Sequence, residues 1–194
     1  MKIILLALFM CTITLFAAPA AIAAPGSGDN YFVEAKVGSA SIWSGGTQAS
    51  SPELLGGYRW DTGSFGKLGF ELGYVDFSEI DSGTPSISFA FGGATFKGRA
   101  IKAGVNLNYT IGQYLYLEPR LGLMRLSYTG VQRNFPNNDI NYSETKIGHY
   151  IGIGVGAWFT PNFAMSLNFD NHTADILGQT QTINVFSLGA QFQF

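Results

Sequence analysis

From residue 31 onward the chain alternates with a period of two, and one parity stays apolar for about ten residues at a time. Such alternation belongs to strands that bury one face in an apolar medium. Eight stretches carry it, at about 31–43, 53–60, 67–77, 96–109, 114–128, 142–159, 163–171 and 186–194. In the third, Leu68, Phe70, Leu72 and Tyr74 oppose Gly69, Glu71, Gly73 and Val75. In the eighth, Phe186, Leu188, Ala190, Phe192 and Phe194 oppose Ser187, Gly189, Gln191 and Gln193. No helical period competes, and beyond the N-terminal leader no run of 18 apolar residues could form a membrane helix.

A soluble sandwich and a membrane barrel both use such strands, with opposite senses. A sandwich hides its apolar faces between two sheets. A membrane barrel turns them outward to lipid, keeps polar groups inside, and closes so that no sheet edge meets hydrocarbon. The connections here alternate in length. Those at about 44–52, 78–95, 129–141 and 172–179 are long, and those at 61–66, 110–113 and 160–162 are short. A meander of antiparallel hairpins with all its short turns at one end has this rhythm. The stretches are long enough to cross a bilayer when tilted. Tyr31, Trp60, Tyr109, Tyr114, Phe159, Phe163 and Phe194 fall at the short-turn end, and Trp43, Phe77, Tyr128, Tyr142 and Phe169 toward the other. Two such groups suit the aromatic girdles of a membrane barrel. Only 12% of the residues are charged, about half the share of a soluble domain. The fold class expected is therefore all-β, an eight-stranded antiparallel up-and-down transmembrane β-barrel.

The N-terminus reads as a leader. One Lys2, an apolar run from Ile3 to Phe16 and the small-x-small triplet Ala21-Ile22-Ala23 make a secretory signal peptide over 1–23, leaving 24–194 as the barrel. LFMC at 8–11 is a poor lipoprotein signal, since Met10 stands where such signals place a small residue. Cys11 is the one cysteine, so the mature chain has neither disulfides nor thiol chemistry. The net charge of −2 and the scattered basic residues give nucleic acid no electrostatic hold.

GYRW at 57–60, GFELGYVDF at 69–77, EPRLGLMRL at 118–126 and the terminal FSLGAQFQF resemble the OmpA-like and OmpX-like family of eight-stranded outer-membrane barrels, which includes opacity and attachment-type small barrels. The resemblance implies a bacterial outer-membrane location with four loops to the exterior. It implies as partners outer-membrane lipid and lipopolysaccharide, periplasmic chaperones, the outer-membrane assembly machinery, and an extracellular ligand for the loops. Larger OmpA proteins add a peptidoglycan-binding domain after the barrel, which this chain is not expected to carry. The terminal row Phe186, Leu188, Phe192 and Phe194 resembles the signal that the assembly machinery reads.

The inward parity carries Glu34, Lys36, Glu53, Arg59, Glu71, Lys102, Glu118, Arg120 and Asp170. Charges in a lumen that eight strands barely hold open must pair or be hydrated. Inward glycines at 69, 73, 104, 148, 152, 154 and 156 leave room for them. The network of Glu34, Lys36, Arg59, Glu71, Lys102, Glu118 and Arg120 is expected to plug the barrel. The alternative is a narrow gated ion path resting on Glu71, Lys102, Glu118 and Arg120, since related barrels hold interior pairs able to exchange partners.

Some small barrels modify lipid A, one with a His-x-Ser pair and a downstream acid. Here His172 is followed two residues later by Ala174, and no carboxylate follows Asp175. His172 is read as opening a solvated loop and His149 as interfacial. Two histidines on separate strands give no metal-binding spacing. GIGVG at 152–156 is strand alternation and lacks the helix that a dinucleotide site requires. No catalytic residues, metal or cofactor are expected. The main expectation is a non-enzymatic barrel serving envelope integrity and adhesion-like contacts through its loops, with the narrow channel as first alternative and a lipid A-modifying enzyme as second.

Overall fold

A computed structural model describes residues 29–42, 48–63, 66–81, 94–134, 138–176 and 179–194. The leader at 1–23 and Trp43 lie outside them. Nine strands follow in chain order. They are β1 (Asn30–Ile42), β2 (Ala49–Ser50), β3 (Glu53–Asp61), β4 (Lys67–Asp81), β5 (Ala94–Ile111), β6 (Leu115–Asn134), β7 (Asn138–Trp158), β8 (Phe163–Ile176) and β9 (Gln179–Gln193). The short β2 and β3 both pair with β1, at Ala40↔Ala49 and from Lys36↔Glu53 to Asn30↔Arg59. They are two pieces of one stave, interrupted at Ser51-Pro52, so the wall has eight staves.

Each stave pairs antiparallel with its neighbour in sequence, and β1 pairs with β9 to close the cylinder. That seam runs without a break from Phe32↔Gln193 to Ile42↔Ile183. At the short-turn end Gly63, Gly66 and Gly112 take positive φ of 73°, 91° and 69°, which a side chain would strain. The third turn is held by Thr160, whose Oγ1 accepts from the backbone N–H of Phe163 at 2.9 Å.

The outward parity is the apolar one. Leu72, Ile101, Leu121, Leu123, Ile151, Leu167, Phe186 and Phe192 all stand exposed on the outer wall. In water this belt would be a large exposed apolar patch; in a bilayer it is the matched surface. Rim aromatics at the short-turn end touch one another, with Tyr31 and Tyr58 4.9 Å apart and Tyr31 and Phe194 6.3 Å apart between ring centroids.

The outer girdle expected from sequence is corrected. Phe77 and Tyr128 turn inward and are buried, and Tyr142 packs against the same interior cluster. Phe77 shares the parity of Val75, and Tyr128 that of Glu118 and Arg120, so the alternation that placed the charges inside places these rings inside too. Phe169 does face out.

The long loops are also shorter than expected. β6 and β7 stay in register from Leu115↔Ala157 to Asn134↔Asn138, so most of 129–141 is paired hairpin. β8 and β9 pair up to Ile176↔Gln179, which takes in most of 172–179. The stretch 78–95 loses both ends to β4 and β5, and 44–52 loses Ala49 and Ser50 to β2. Polar residues there mark where the staves leave hydrocarbon, and the ladder continues past that level.

Candidate functional site

The lumen holds three storeys. Nearest the short turns, Tyr116, Trp158 and Ala164 pack together, and the Arg59 guanidinium carbon lies 3.7 Å from the centroid of the Phe32 ring. A charged storey comes next. Above it, Val75, Phe77, Leu126, Tyr128, Ile176, Ile183 and Val185 form an apolar plug. The sequence reading anticipated a polar interior throughout. It missed the plug because Phe77, Leu126, Tyr128 and Ile176 lie beyond the inward charge of their own strand, and Ile183 and Val185 precede the stretch read as the eighth strand.

All the inward charges expected from sequence lie in the middle storey, each at most 5% exposed. Glu118 of β6 bridges two arginines. Arg59 Nη2 donates to its Oε2 and Arg120 Nη2 to its Oε1, both at 2.9 Å. Asn108 donates to the same carboxylate at 3.0 Å. Arg120 also faces Glu34 at 3.5 Å and Asp170 at 3.9 Å. Lys36 links Asp170 (3.2 Å) to Glu53 (3.6 Å), and Lys102 meets Glu53 at 2.6 Å. Lys102 also lies 4.3 Å over the Tyr150 ring. The pairing Glu71–Lys102 is not made. Glu71 instead accepts from Asn106 and from the Tyr150 hydroxyl, both at 2.8 Å, and carries no ion pair among the described residues.

Uncharged groups complete the network and were not singled out from sequence. Ser166 donates to Glu34 at 2.7 Å, Asn168 accepts from Arg120 at 3.0 Å, and Asn106 accepts from Arg59 Nε at 2.8 Å. Their signal was present, since all three share the charged parity. Desolvating this many charges costs several kcal/mol per ion, and mutual pairing with added hydrogen bonds is what offsets it. The glycines that face them are spatially required. A Cβ at Gly152 would run into the Asp170 carboxylate, at Gly156 into the Tyr116 ring, and at Gly189 into Glu34 and Ser166.

His172 is a second correction. It opens no solvated loop: β8 continues past it to Ile176, and its side chain is fully buried. Its ring sits 5.3 Å from Phe77 and 6.0 Å from Tyr150 between centroids. Neither ring nitrogen has a hydrogen-bond partner. His149 is exposed on the outer wall, between Ile147 and Ile151. Among the described residues, no group of three or more His, Cys, Asp or Glu is arranged to hold a metal ion.

The family model described as the outer membrane protein beta-barrel domain matches residues 5–194. Neisserial surface protein A superposes with a TM-score of 0.56 at 20% identity, over 87% of this chain and 98% of its own. The attachment invasion locus protein of Yersinia pestis gives 0.50 at 17% identity, over 87% and 100%. The N-terminal β-barrel domain of Pseudomonas aeruginosa OprF gives 0.50 at 16%, over 84% and 97%. At these identities the likeness speaks for the fold. No curated protein matches in sequence.

Proposed function

The chain belongs to the outer membrane β-barrel family, and from that premise we propose that it is a non-enzymatic barrel that braces the envelope and presents its outer hairpins for adhesion-like recognition. Its location is the bacterial outer membrane.

One observation carries the reading: the lumen is filled while the wall is extended. β6 has 20 residues and β7 has 21. Crossing a bilayer takes about nine to eleven residues of tilted strand. About half of the β6–β7 hairpin therefore stands clear of hydrocarbon, as a stiff, paired arm. A rigid scaffold holding variable tips is a common basis for recognition. Arg133 stands near the end of the paired register, opposite Asp139.

Support for a plug over a channel comes from the charged storey and the apolar storey stacked across the same lumen. Support for a non-catalytic role comes from His172. Asp170 is committed to Lys36, and the buried imidazole has no hydroxyl within hydrogen-bond reach to activate. The outward row Phe186, Leu188, Phe192 and Phe194 serves, on this reading, as the strand that the assembly machinery recognises.

The test is to replace 131–141 by a two-residue turn and measure binding of whole cells to host-cell and matrix surfaces. Lost binding with normal outer-membrane levels is expected. Unchanged binding would refute recognition by this arm. In planar bilayers the purified barrel is expected to stay silent; steady ion currents altered by Glu118→Ala would overturn the plug.

A further inference from the structure

Four buried polar atoms gather at one level of the lower lumen without a partner. Register sets the row. Glu34 of β1 faces Gln191 of β9, Gln191 faces Ala164 of β8, and Ala164 faces Trp158 of β7. Tyr116 of β6 reaches in beside them, its ring lying over the bare backbone of its cross-strand neighbour Gly156. All five side chains are at most 1% exposed. Yet Glu34 Oε2, Gln191 Nε2, Trp158 Nε1 and the Tyr116 hydroxyl make no hydrogen bond among the described residues.

Buried polar atoms are almost always hydrogen-bonded, because leaving one unmet forfeits its hydration for nothing. The far sides of the same groups are already used. Glu34 Oε1 accepts from Ser166 at 2.7 Å, and Gln191 Oε1 accepts from Arg59 at 3.4 Å. Arg120 Nη1 stands 3.5 Å from Glu34 Oε2, close enough for charge attraction but without hydrogen-bond geometry. At the centre of the row Ala164, which packs with Tyr116 and Trp158, offers only a methyl group.

The chemistry of the four atoms selects the occupant. The indole N–H and the amide NH₂ can only donate, which turns away a metal cation. The Glu34 carboxylate can only accept, which turns away an anion. A small neutral molecule that both donates and accepts suits all four. His172 makes the contrast. Both of its ring nitrogens are unpartnered too, but it is set between the rings of Phe77 and Tyr150 and opposite Ile183. A buried water makes about three hydrogen bonds, and aromatic and aliphatic faces supply none of that strength.

We propose that ordered water occupies the row and bridges Glu34 to Gln191, Trp158 and Tyr116, so that the charged storey is wetted from below and dry beneath the plug. The short turns of an outer-membrane barrel face the periplasm, which makes that side the source. Below Gln191 the next inward residue of β9 is Gln193, whose Nε2 donates to the Pro161 carbonyl at 2.6 Å. Water exchanges past that bond. Glu34 and Arg120 then meet solvent, while Lys36, Glu53, Asp170 and Lys102 rely on one another. The inference rests on the outer-membrane location and is independent of what the hairpin tips bind.

The test is nuclear magnetic resonance of the isotope-labelled barrel in phospholipid nanodiscs, reading magnetisation transfer from water to the Trp158 indole N–H. Trp158→Phe assigns that signal. Wild type should show a cross-peak with the sign of a long-lived, bound water. Tyr116→Phe should keep it, which excludes relay through the exchanging hydroxyl. Ala164→Leu puts bulk where the water stands and should abolish it, with the barrel still folded by its heat-dependent shift on a denaturing gel. Gln193→Ala removes the bond at the rim and should speed hydrogen exchange of the indole about fivefold, the factor that one hydrogen bond contributes. No cross-peak in wild type, its loss in Tyr116→Phe, its persistence in folded Ala164→Leu, or unchanged exchange in Gln193→Ala would each overturn the proposal. Should Ala164→Leu fail to fold, the wild-type and Tyr116→Phe spectra decide alone.

Discussion

Replacing Glu118 by Gln should destabilise the barrel far more than removing both Glu118 and its partner Arg59. Glu118 is 1% exposed and is the carboxylate that Arg59 reaches, at 2.9 Å. Arg59 otherwise donates to the neutral oxygens of Asn106 and Gln191. Arg120 is better insured, because Glu34 and Asp170 also lie within 4 Å of it. The single substitution therefore strands one buried guanidinium. Removing one partner of a buried pair costs about 3–5 kcal/mol, whereas exchanging the pair for apolar groups of similar volume is often near neutral. Arg59 already lies on the Phe32 ring, so a methionine there has an aromatic face to pack on. Reversible urea unfolding in phospholipid vesicles, followed by tryptophan fluorescence, measures each variant. Glu118→Gln should lose about 3 kcal/mol or more, and R59M/E118Q should regain at least about 2 kcal/mol of it. A single variant within about 1 kcal/mol of wild type, or a double variant no better than the single, would refute the view that the storey stands on mutual pairing.

Gly156→Ala should cost about 1–3 kcal/mol by overpacking, because the new methyl meets the Tyr116 ring. Tyr116→Leu in the same background should recover part of it, and a neutral Gly156→Ala would show that the ring is free to move. At the outer mouth, Glu144 is held below the ordinary carboxylate range, first by the Lys146 ammonium at 3.0 Å and then by the Tyr128 hydroxyl. A folded value below the unfolded one means that the contribution is fully present above the ordinary glutamate value of 4.5 and is lost as pH falls through the folded value. Amide protection factors in the β6–β7 hairpin should therefore fall between pH 6 and pH 3, and Glu144→Gln should remove that dependence.

The wall and the charged storey were legible because both follow from one rule, the alternation of parity. Lys36, Glu71, Lys102 and Arg120 sit one residue away from lipid-facing partners, so parity alone turns them into the lumen. Phe77, Tyr128 and His172 were misplaced by chemistry that contradicts parity: aromatic residues suggest a girdle and histidine suggests a loop. Parity wins because a stave in a closed ladder cannot rotate a single residue outward without breaking its hydrogen bonds to both neighbours. The hairpin above the membrane was hidden for a different reason. Outside hydrocarbon both faces of a ladder are free to be polar, so the hydropathy signal stops although the pairing does not. Which carboxylate each cation chooses depends on stagger between staves, and no single strand encodes that.

The β1–β9 seam bears on how the protein persists. Those two staves are the most distant in the chain, yet they pair without a break from Phe32↔Gln193 to Ile42↔Ile183. Contacts between remote parts of a chain form late and slowly. Until they form, the sheet has two raw edges, and in lipid each unmet backbone group costs several kcal/mol. The cylinder has no comfortable half-closed condition, so opening it must cross the same steep barrier. Its lifetime in the membrane is then set by an unfolding rate more than by an equilibrium. Weakening a single pair along the seam should shorten that lifetime long before it alters the architecture.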